Sequence, residues 1–135
     1  MHALQGAILR VKLGHLGRWT DVRRRHAARY NDRLAGADVT RPEEMSYARH
    51  VYHQYAVRSP GRDALRAALA EGGIATGVHY PTPVHLQPAY ASLGYKPGAF
   101  PVSERASAEV VSLPVSPELT DAQIETVAAA VRAAV

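Results

Sequence analysis

The feature that most constrains this chain is a helix with clear start and stop signals between two strand-like runs, in residues 50–80. The first run, residues 50–58, is rich in valine and tyrosine, which favour strands. The Ser-Pro pair at 59–60 suits a helix start, because serine can accept a hydrogen bond from a free N–H group and proline fits the first turn. Two glycines at 72–73 suit a left-handed helix ending. A second strand at 74–80 then completes a compact α/β unit, with the relative strand direction left open.

Periodicity within this unit predicts which side chains share a face. Residues two apart lie on the same face of a strand. The two predicted faces of the first strand are Val51, His53, Tyr55 and Val57 on one side and His50, Tyr52, Gln54 and Ala56 on the other. The helix is expected to bury an apolar stripe of Leu65, Ala68 and Leu69.

Helical patterns flank the unit. Apolar residues recur every three to four positions at the start of the chain, which predicts a long helical segment over residues 1–36. Gly14 and Gly17 interrupt it, so the pattern leaves open one bent helix or two. Near the other end, Thr120 and Gln123 have the spacing of a capping box, which predicts a final helix.

Prolines shape the remaining segments. Residues 37–49 are predicted to form a loop, and residues 81–101 an ordered proline-rich loop with one helical turn at 88–93. A helix at 102–109 and a third strand at 110–115 are expected to follow. The whole pattern predicts a single α/β (α+β) domain over residues 1–135. Its sheet is expected to be short, mixed or antiparallel, with about three strands packed with helices.

Composition excludes several classes of protein. A chain of 135 residues with 47% apolar and 21% charged residues is long and apolar enough for one folded domain. It has no cysteine, which excludes disulfides, zinc–thiolate sites and thiol nucleophiles. No apolar run approaches the roughly 20 residues of a membrane span, and no signal-peptide pattern opens the chain. We therefore expect a soluble, cytoplasmic protein with no membrane partner.

Basic charge is concentrated in residues 18–29, within the first helical segment. The formal net charge is +4, and this stretch contains Arg23, Arg24, Arg25 and Arg29. A nucleic-acid-binding helix is one interpretation, and a solvated face or one that pairs with acidic groups on a partner is the other. Base-stacking aromatic residues and a recognised nucleic-acid motif are missing, which favours the second interpretation.

The strongest candidate for a binding site is the stretch from His79 to Tyr90, where the predicted second strand enters the proline-rich loop. Two histidines, two tyrosines and a glutamine cluster there, and such groups suit a sugar ring or a phosphate. The alternative is that the prolines stiffen a loop whose rings pack on the core. The histidine spacings do not favour zinc, and neither a nucleophile elbow nor a glycine-rich phosphate loop occurs, so no metal site or catalytic residue is predicted.

Six motifs in order resemble the DegT/DnrJ/EryC1/StrS family over the whole chain. They are MHALQGAILRVKL, RRRHAARY, HVYHQYAVR, GIATGVHYPTPVHLQPAY, FPVSERA and LPVSPELT. The resemblance implies the small C-terminal domain of a fold-type I, pyridoxal-phosphate-dependent transferase, with residues 1–36 linking to a large domain. It also implies amino transfer from glutamate or glutamine to a nucleotide-linked keto-sugar, in polysaccharide or antibiotic-sugar biosynthesis, usually by a homodimer.

The resemblance places the cofactor chemistry outside this chain. In the family, the cofactor forms a Schiff base with a lysine of the large domain, in a region that would precede Met1. Lys12 and Lys96 do not match that lysine, so no cofactor-binding residue is expected here. A truncated gene, a misplaced start codon and half of a split protein are the alternatives for such a chain.

The same resemblance marks candidate substrate contacts. The family's His-Tyr-Pro stretch lies near the sugar, which implies His79 and Tyr80, with His85 and Gln87 next. Two other functions stay open. One is a non-catalytic interaction or oligomerisation module, motivated by the apolar first helix and the arginine face. The other is a relative that dehydrates sugars, with a histidine in place of the lysine.

Overall fold

A computed structural model describes residues 2–135. It contains five α-helices, two β-strands and two short 3₁₀ turns. The helices are α1 (Ala3–Leu13), α2 (Leu16–Arg33), α3 (Arg62–Glu71), α4 (Pro101–Glu109) and α5 (Asp121–Ala134). The strands are β1 (Tyr55–Arg58) and β2 (Val110–Leu113), and the 3₁₀ turns are Val84–Leu86 and Pro88–Leu93.

The N-terminal helical segment is two helices rather than one. Gly14 ends α1, and α2 begins two residues later, so the break falls at the first of the two glycines in the sequence pattern. Gly17 lies inside α2. The segment ends at Arg33, and Gly36 follows with a φ of 75°, a left-handed conformation that glycine adopts without a steric penalty.

The sheet is antiparallel. In its register, Tyr55 pairs with Leu113 and Arg58 pairs with Val110. Single bridges extend it on both sides, from Thr40 to Arg58 and from Gly77 to Ser112. The predicted strand at 74–80 is therefore wrong as a strand, because only Gly77 joins the ladder, and the sheet has two strands rather than three.

The predicted first strand is correct only in its second half. Residues 50–54 are irregular because Tyr52 has a φ of 47°, which interrupts an extended backbone. Glu44 holds this turn to α2: its Oε1 accepts hydrogen bonds from Arg24 Nη1 at 2.7 Å and from the backbone N–H of His50 at 2.8 Å. The prediction that Val51 and His53 share a strand face with Tyr55 is therefore wrong, since both of them are exposed whereas Tyr55 is buried.

Helices α2, α3 and α5 cover one face of the sheet. Side chains from both strands and all three helices form a single core: Ala27, Tyr30, Leu34, Tyr52, Tyr55, Val57, Leu65, Leu69, Val111, Leu113, Val115, Ile124, Val127, Ala128 and Val131. Ala68, predicted to be buried in α3, is exposed, because the buried face of this short helix is narrow. The opposite face of the sheet carries Ala56 and Ser112, which are paired in the register.

The predicted N-terminal cap is present in α5 and absent from α3. Helix α5 has the capping box: Thr120 Oγ1 accepts from the Gln123 N–H at 3.2 Å, and Gln123 Oε1 accepts from the Thr120 N–H at 2.8 Å. Helix α3 begins after Gly61, and the side chain of Ser59 does not cap it. Ser59 is buried instead, with its N–H donating to the Glu109 carbonyl at 3.0 Å.

The α-helices of residues 2–135 are 9 to 18 residues long. None of them combines the length and the apolar character that crossing a membrane demands.

Candidate functional site

The predicted binding residues come directly after Gly77, which forms a single β-bridge to Ser112 on the edge of the sheet. Gly77 exchanges two backbone hydrogen bonds with Ser112, of 3.1 and 2.7 Å. This pairing fixes the path of the chain just before His79. The loop therefore begins at a defined point on the edge of β2, although residues 74–80 do not form a strand.

His79 lies against this edge. Its Nδ1 is 3.1 Å from Ser112 Oγ, within hydrogen-bonding distance. A Cβ atom placed on Gly77 would lie only 2.5 Å from His79 Cε1, so the imidazole occupies space that any other residue at position 77 would fill. Glycine at this position is therefore what allows the ring to approach the backbone.

Tyr80 is exposed to solvent. Its side chain is 72% exposed, and its ring meets that of His79 edge to face at a centroid separation of 5.7 Å. An imidazole and a phenol hydroxyl are thus presented together on an open surface. They can exchange hydrogen bonds with a polar ligand, and the tyrosine ring offers a flat apolar face.

His85 is held inside its own loop. Its Nε2 is 3.0 Å from Glu104 Oε1, and its ring packs on Phe100 at a centroid distance of 4.8 Å. Glu104 also accepts hydrogen bonds from the N–H groups of Gly98 and Phe100. These backbone bonds, Gly98 first, together with the neighbouring histidine, lower the pKa of Glu104. This network fastens the proline-rich loop to the first turn of α4.

Gln87 is half-buried at the junction of the two 3₁₀ turns. Its carbonyl accepts from the Tyr90 N–H at 2.9 Å, and its N–H donates to the Val84 carbonyl at 3.2 Å. The structure therefore brings His79 and Tyr80 together and places His85 and Gln87 in a separate part of the same loop. Across residues 2–135, no hydrogen bond or ring contact joins the two pairs.

Three residues that the sequence analysis missed organise this region: Gly77, Glu104 and Ser112. Ser112 had a weak signal, since it is a polar residue between valine and leucine in a predicted strand. Glu104 had none, because a predicted ordered loop does not by itself show which of its groups face the helix that follows. The contact between Gly77 and His79 depends on a ring folding back over the chain, which spacing does not show.

Both lysines have exposed side chains. Pyridoxal phosphate needs a lysine amine in an enclosed pocket for its imine. Lys12 is exposed on α1, with its Nζ 6.0 Å from the centroid of the Trp19 ring, and Lys96 is exposed in the turn before α4. In residues 2–135, no group of three potential ligands that could hold a metal ion was found either.

Several arginines of α2 form ion pairs with acidic residues of the same chain. Arg24 pairs with Glu44, Arg29 pairs with both Asp121 and Glu125, and Arg33 pairs with Glu125. The Arg29 and Arg33 contacts join α2 to α5, and the Arg24 contact joins α2 to the loop before β1. These ion pairs within the chain account for Arg24 and Arg29 of the basic stretch, whereas Arg23 and Arg25 form no ion pair in residues 2–135.

A sequence model of the DegT/DnrJ/EryC1/StrS aminotransferase family matches residues 1–132. The chain belongs to this family. A pleiotropic regulatory protein of Geobacillus stearothermophilus is 52% identical over 123 residues, covering 89% of this chain and 33% of that protein. The dTDP-3-amino-3,4,6-trideoxy-alpha-D-glucose transaminase of Streptomyces venezuelae is 41% identical, over 96% of this chain and 34% of the transaminase.

The fold is likewise that of the DegT/DnrJ/EryC1/StrS aminotransferases. The crystal structure of S. venezuelae DesV with a ketimine intermediate superposes with a TM-score of 0.92 at 41% identity. The match covers 96% of this chain and 35% of the DesV chain. The predicted fold class is thereby confirmed, and the chain spans about a third of the length of these relatives.

Proposed function

We propose that this chain serves as the small C-terminal domain of a pyridoxal-phosphate-dependent aminotransferase that acts on nucleotide-linked keto-sugars. The observation that carries the proposal is the superposition on DesV over 96% of the chain, at 41% identity. The family match over residues 1–132 and the similarity to a sugar-nucleotide transaminase support it.

Within that enzyme, this chain supplies shape and substrate contacts, and the imine-forming lysine comes from elsewhere. The cofactor provides the electron sink for amino transfer when it is bound. Neither Lys12 nor Lys96 lies in an enclosed pocket, so the residues here do not fit that role. Glutamate or glutamine is the proposed amino donor.

On the substrate side, His79 and Tyr80 are the proposed direct contacts. His79 bonds to Ser112, which lies on the face of the sheet opposite the helices, and the adjoining tyrosine ring is open to a ligand. His85 and Gln87 are proposed to bind in the same region. The bond from His85 to Glu104 holds their loop in shape.

Residues 1–36 are proposed to link this domain to the large domain of a homodimeric enzyme. Helix α1 buries none of its own residues, and Leu4, Ile8, Leu9, Val11 and Leu13 are all more than half exposed. A helix that is apolar on several sides is normally covered by protein. The large domain supplies such a cover.

A chimera tests the proposal. The third of DesV that matches this chain is replaced by the chain itself, and formation of the amino sugar is measured with the keto-sugar substrate of DesV. We expect turnover, and we expect it to persist after Lys12→Gln and Lys96→Gln. A folded chimera that holds the cofactor and makes no amino sugar contradicts the proposal. Cofactor covalently attached to Lys12 or Lys96 of the 135-residue chain also contradicts it.

The second candidate, a non-catalytic interaction module, is favoured by the same exposed side chains of α1. It predicts that the isolated chain binds itself or another protein through that helix. Size-exclusion chromatography with light scattering measures this directly. A monodisperse monomer at high concentration counts against the module.

A further inference from the structure

Ser112 and Gly77 together determine which nitrogen of His79 faces outward. Ser112 lies on β2 and is only 7% exposed, so its hydroxyl needs a hydrogen-bond acceptor inside the protein. His79 Nδ1 is the partner found for it in residues 2–135, at 3.1 Å. A hydroxyl that donates to Nδ1 leaves the proton of a neutral imidazole on Nε2.

Gly77 sets the ring position independently of that hydrogen bond. The space where its Cβ would stand is filled by the Cε1 edge of the imidazole, at 2.5 Å from the ideal Cβ position. The φ of Gly77 lies outside the left-handed region, so its backbone accepts alanine. Close approach by the ring, rather than backbone conformation, is therefore what requires glycine here.

His79 Nε2 is left for a ligand. No hydrogen bond to it occurs in residues 2–135, it is not among the buried atoms that lack a partner, and the residue as a whole is exposed. With Nδ1 occupied by Ser112, the neutral ring presents one N–H donor and no free acceptor. Such a group recognises an acceptor oxygen, which sugar hydroxyl, keto and phosphate groups all provide.

We propose that Ser112 and Gly77 are positioning residues that hold His79 as a fixed Nε2–H donor toward an acceptor oxygen of the sugar-nucleotide substrate. The identity of the ligand rests on the proposed function. The tautomer and the ring position rest on the geometry of this chain alone. The two parts can therefore be tested separately.

The first experiment uses nitrogen NMR of the imidazole in the 135-residue chain. We expect His79 to carry its proton on Nε2, with Nδ1 accepting a hydrogen bond. Ser112→Ala and Gly77→Ala should each move its signals toward those of the exposed His53. Ser112→Thr, which keeps the hydroxyl, should restore them, and Ser59→Ala, a buried serine elsewhere, should change nothing. A proton on Nδ1 in the unmodified chain, or signals unchanged by both Ser112→Ala and Gly77→Ala, overturns the proposal.

The second experiment uses the DesV chimera. Loss of one fixed donor should raise the KM for the keto-sugar nucleotide about tenfold in Ser112→Ala, with a smaller change in kcat and recovery in Ser112→Thr. An unchanged KM in a variant whose imidazole signals have moved overturns the ligand half of the proposal. A parent chimera that is folded, holds the cofactor and is inactive refutes the proposed function and the ligand half together, while the NMR result still decides the positioning of His79.

Discussion

At the scale of single residues, two buried tyrosines connect the helices to the sheet. The rings of Tyr30 and Tyr55 pack at a centroid distance of 4.9 Å, and both side chains are fully buried. Tyr30 donates to the Pro114 carbonyl at 2.7 Å, and Tyr55 donates to Asn31 Oδ1 at 2.6 Å. Burial raises the pKa of both phenols, because their charged form would lose its hydration.

This burial predicts a loss of stability in alkali. The unfolded chain releases its phenolic protons near pH 10, whereas the folded protein keeps those of Tyr30 and Tyr55. The free energy of unfolding should therefore be unaffected by these groups below about pH 10 and fall as the pH rises above it. Urea unfolding from pH 8 to 11 measures this, and Tyr30→Phe/Tyr55→Phe should flatten the slope. Tyr47→Phe, at an exposed position, is the control, and an equal slope in the double variant would disprove the explanation.

The buried His26 predicts a loss of stability in acid. It is 2% exposed in α2, and its Nδ1 has no hydrogen-bond partner among residues 2–135. Burial lowers its pKa, and Arg25 and Arg29 act in the same direction, while Asp121 and the backbone of Ser116 oppose them. The unfolded chain thus binds a proton near pH 6.5 that the folded chain resists.

We therefore expect the free energy of unfolding to fall as the pH drops below about 6.5. His26→Gln, which cannot titrate, should reduce this dependence, whereas His53→Gln at an exposed position should not. Denaturant unfolding between pH 7.5 and 5 is the measurement. A dependence that is identical in the His26 variant would show that other groups cause it.

At the scale of elements, the α5 cap is the clearest local device. Thr120 and Gln123 satisfy each other's backbone N–H groups at the start of the helix that supplies Ile124, Val127 and Val131 to the core. Its stability affects the whole domain, because α5 packs on both α2 and α3.

Thr120→Ala should lower the free energy of unfolding by about 1 kcal/mol, since it removes the acceptor of the Gln123 N–H. Thr126→Ala is a matched control in the same helix. Its hydroxyl bonds only to the Ala122 carbonyl, and alanine is the better helix former, so stability should stay constant or rise slightly. Equal losses in the two variants would argue against a specific cap.

At the scale of the whole molecule, most of the large exposed apolar side chains lie in two regions. One is α1, and the other is residues 80–102, which include the proline-rich loop and where Tyr80, Val84, Leu93 and Val102 are each more than 60% exposed. The core lies on the other side of the sheet and does not depend on either region. The domain therefore has a self-contained core and surfaces suited to contact with further protein.

The variant Leu4→Gln/Ile8→Gln/Val11→Gln tests this separation. These positions share one face of α1 and are 65%, 53% and 68% exposed, so the free energy of unfolding should change by less than about 0.5 kcal/mol for each. Self-association measured by light scattering should decrease, and the DesV chimera that carries the changes should assemble poorly. Arg10→Gln on the same helix is the control. A loss of several kcal/mol would instead show that α1 packs inside this chain.

Signals within a few residues of sequence correctly predicted several ends and turns of the secondary-structure elements. The left-handed Gly73 after α3, the turn at Pro88–Leu93 and the capping box of α5 were all predicted. Each depends on conformational preferences or hydrogen bonds within a few residues. The same local reasoning placed His79 and Tyr80 at the end of a predicted strand, where the chain enters the proline-rich loop, although residues 74–80 do not form that strand.

Contacts between residues far apart in sequence determine the features that the sequence did not predict. Glu44 and Arg24, 20 residues apart, hold the turn that replaces the first half of a predicted strand. Ser112 meets His79 across 33 residues, and Glu104 meets His85 across 19. A buried serine or a partly buried carboxylate needs a hydrogen-bond partner, but which partner is near depends on how the sheet and loop pack together, and periodicity does not encode that. The sequence thus predicted which residue types form the candidate site, and only the tertiary structure showed how they are arranged.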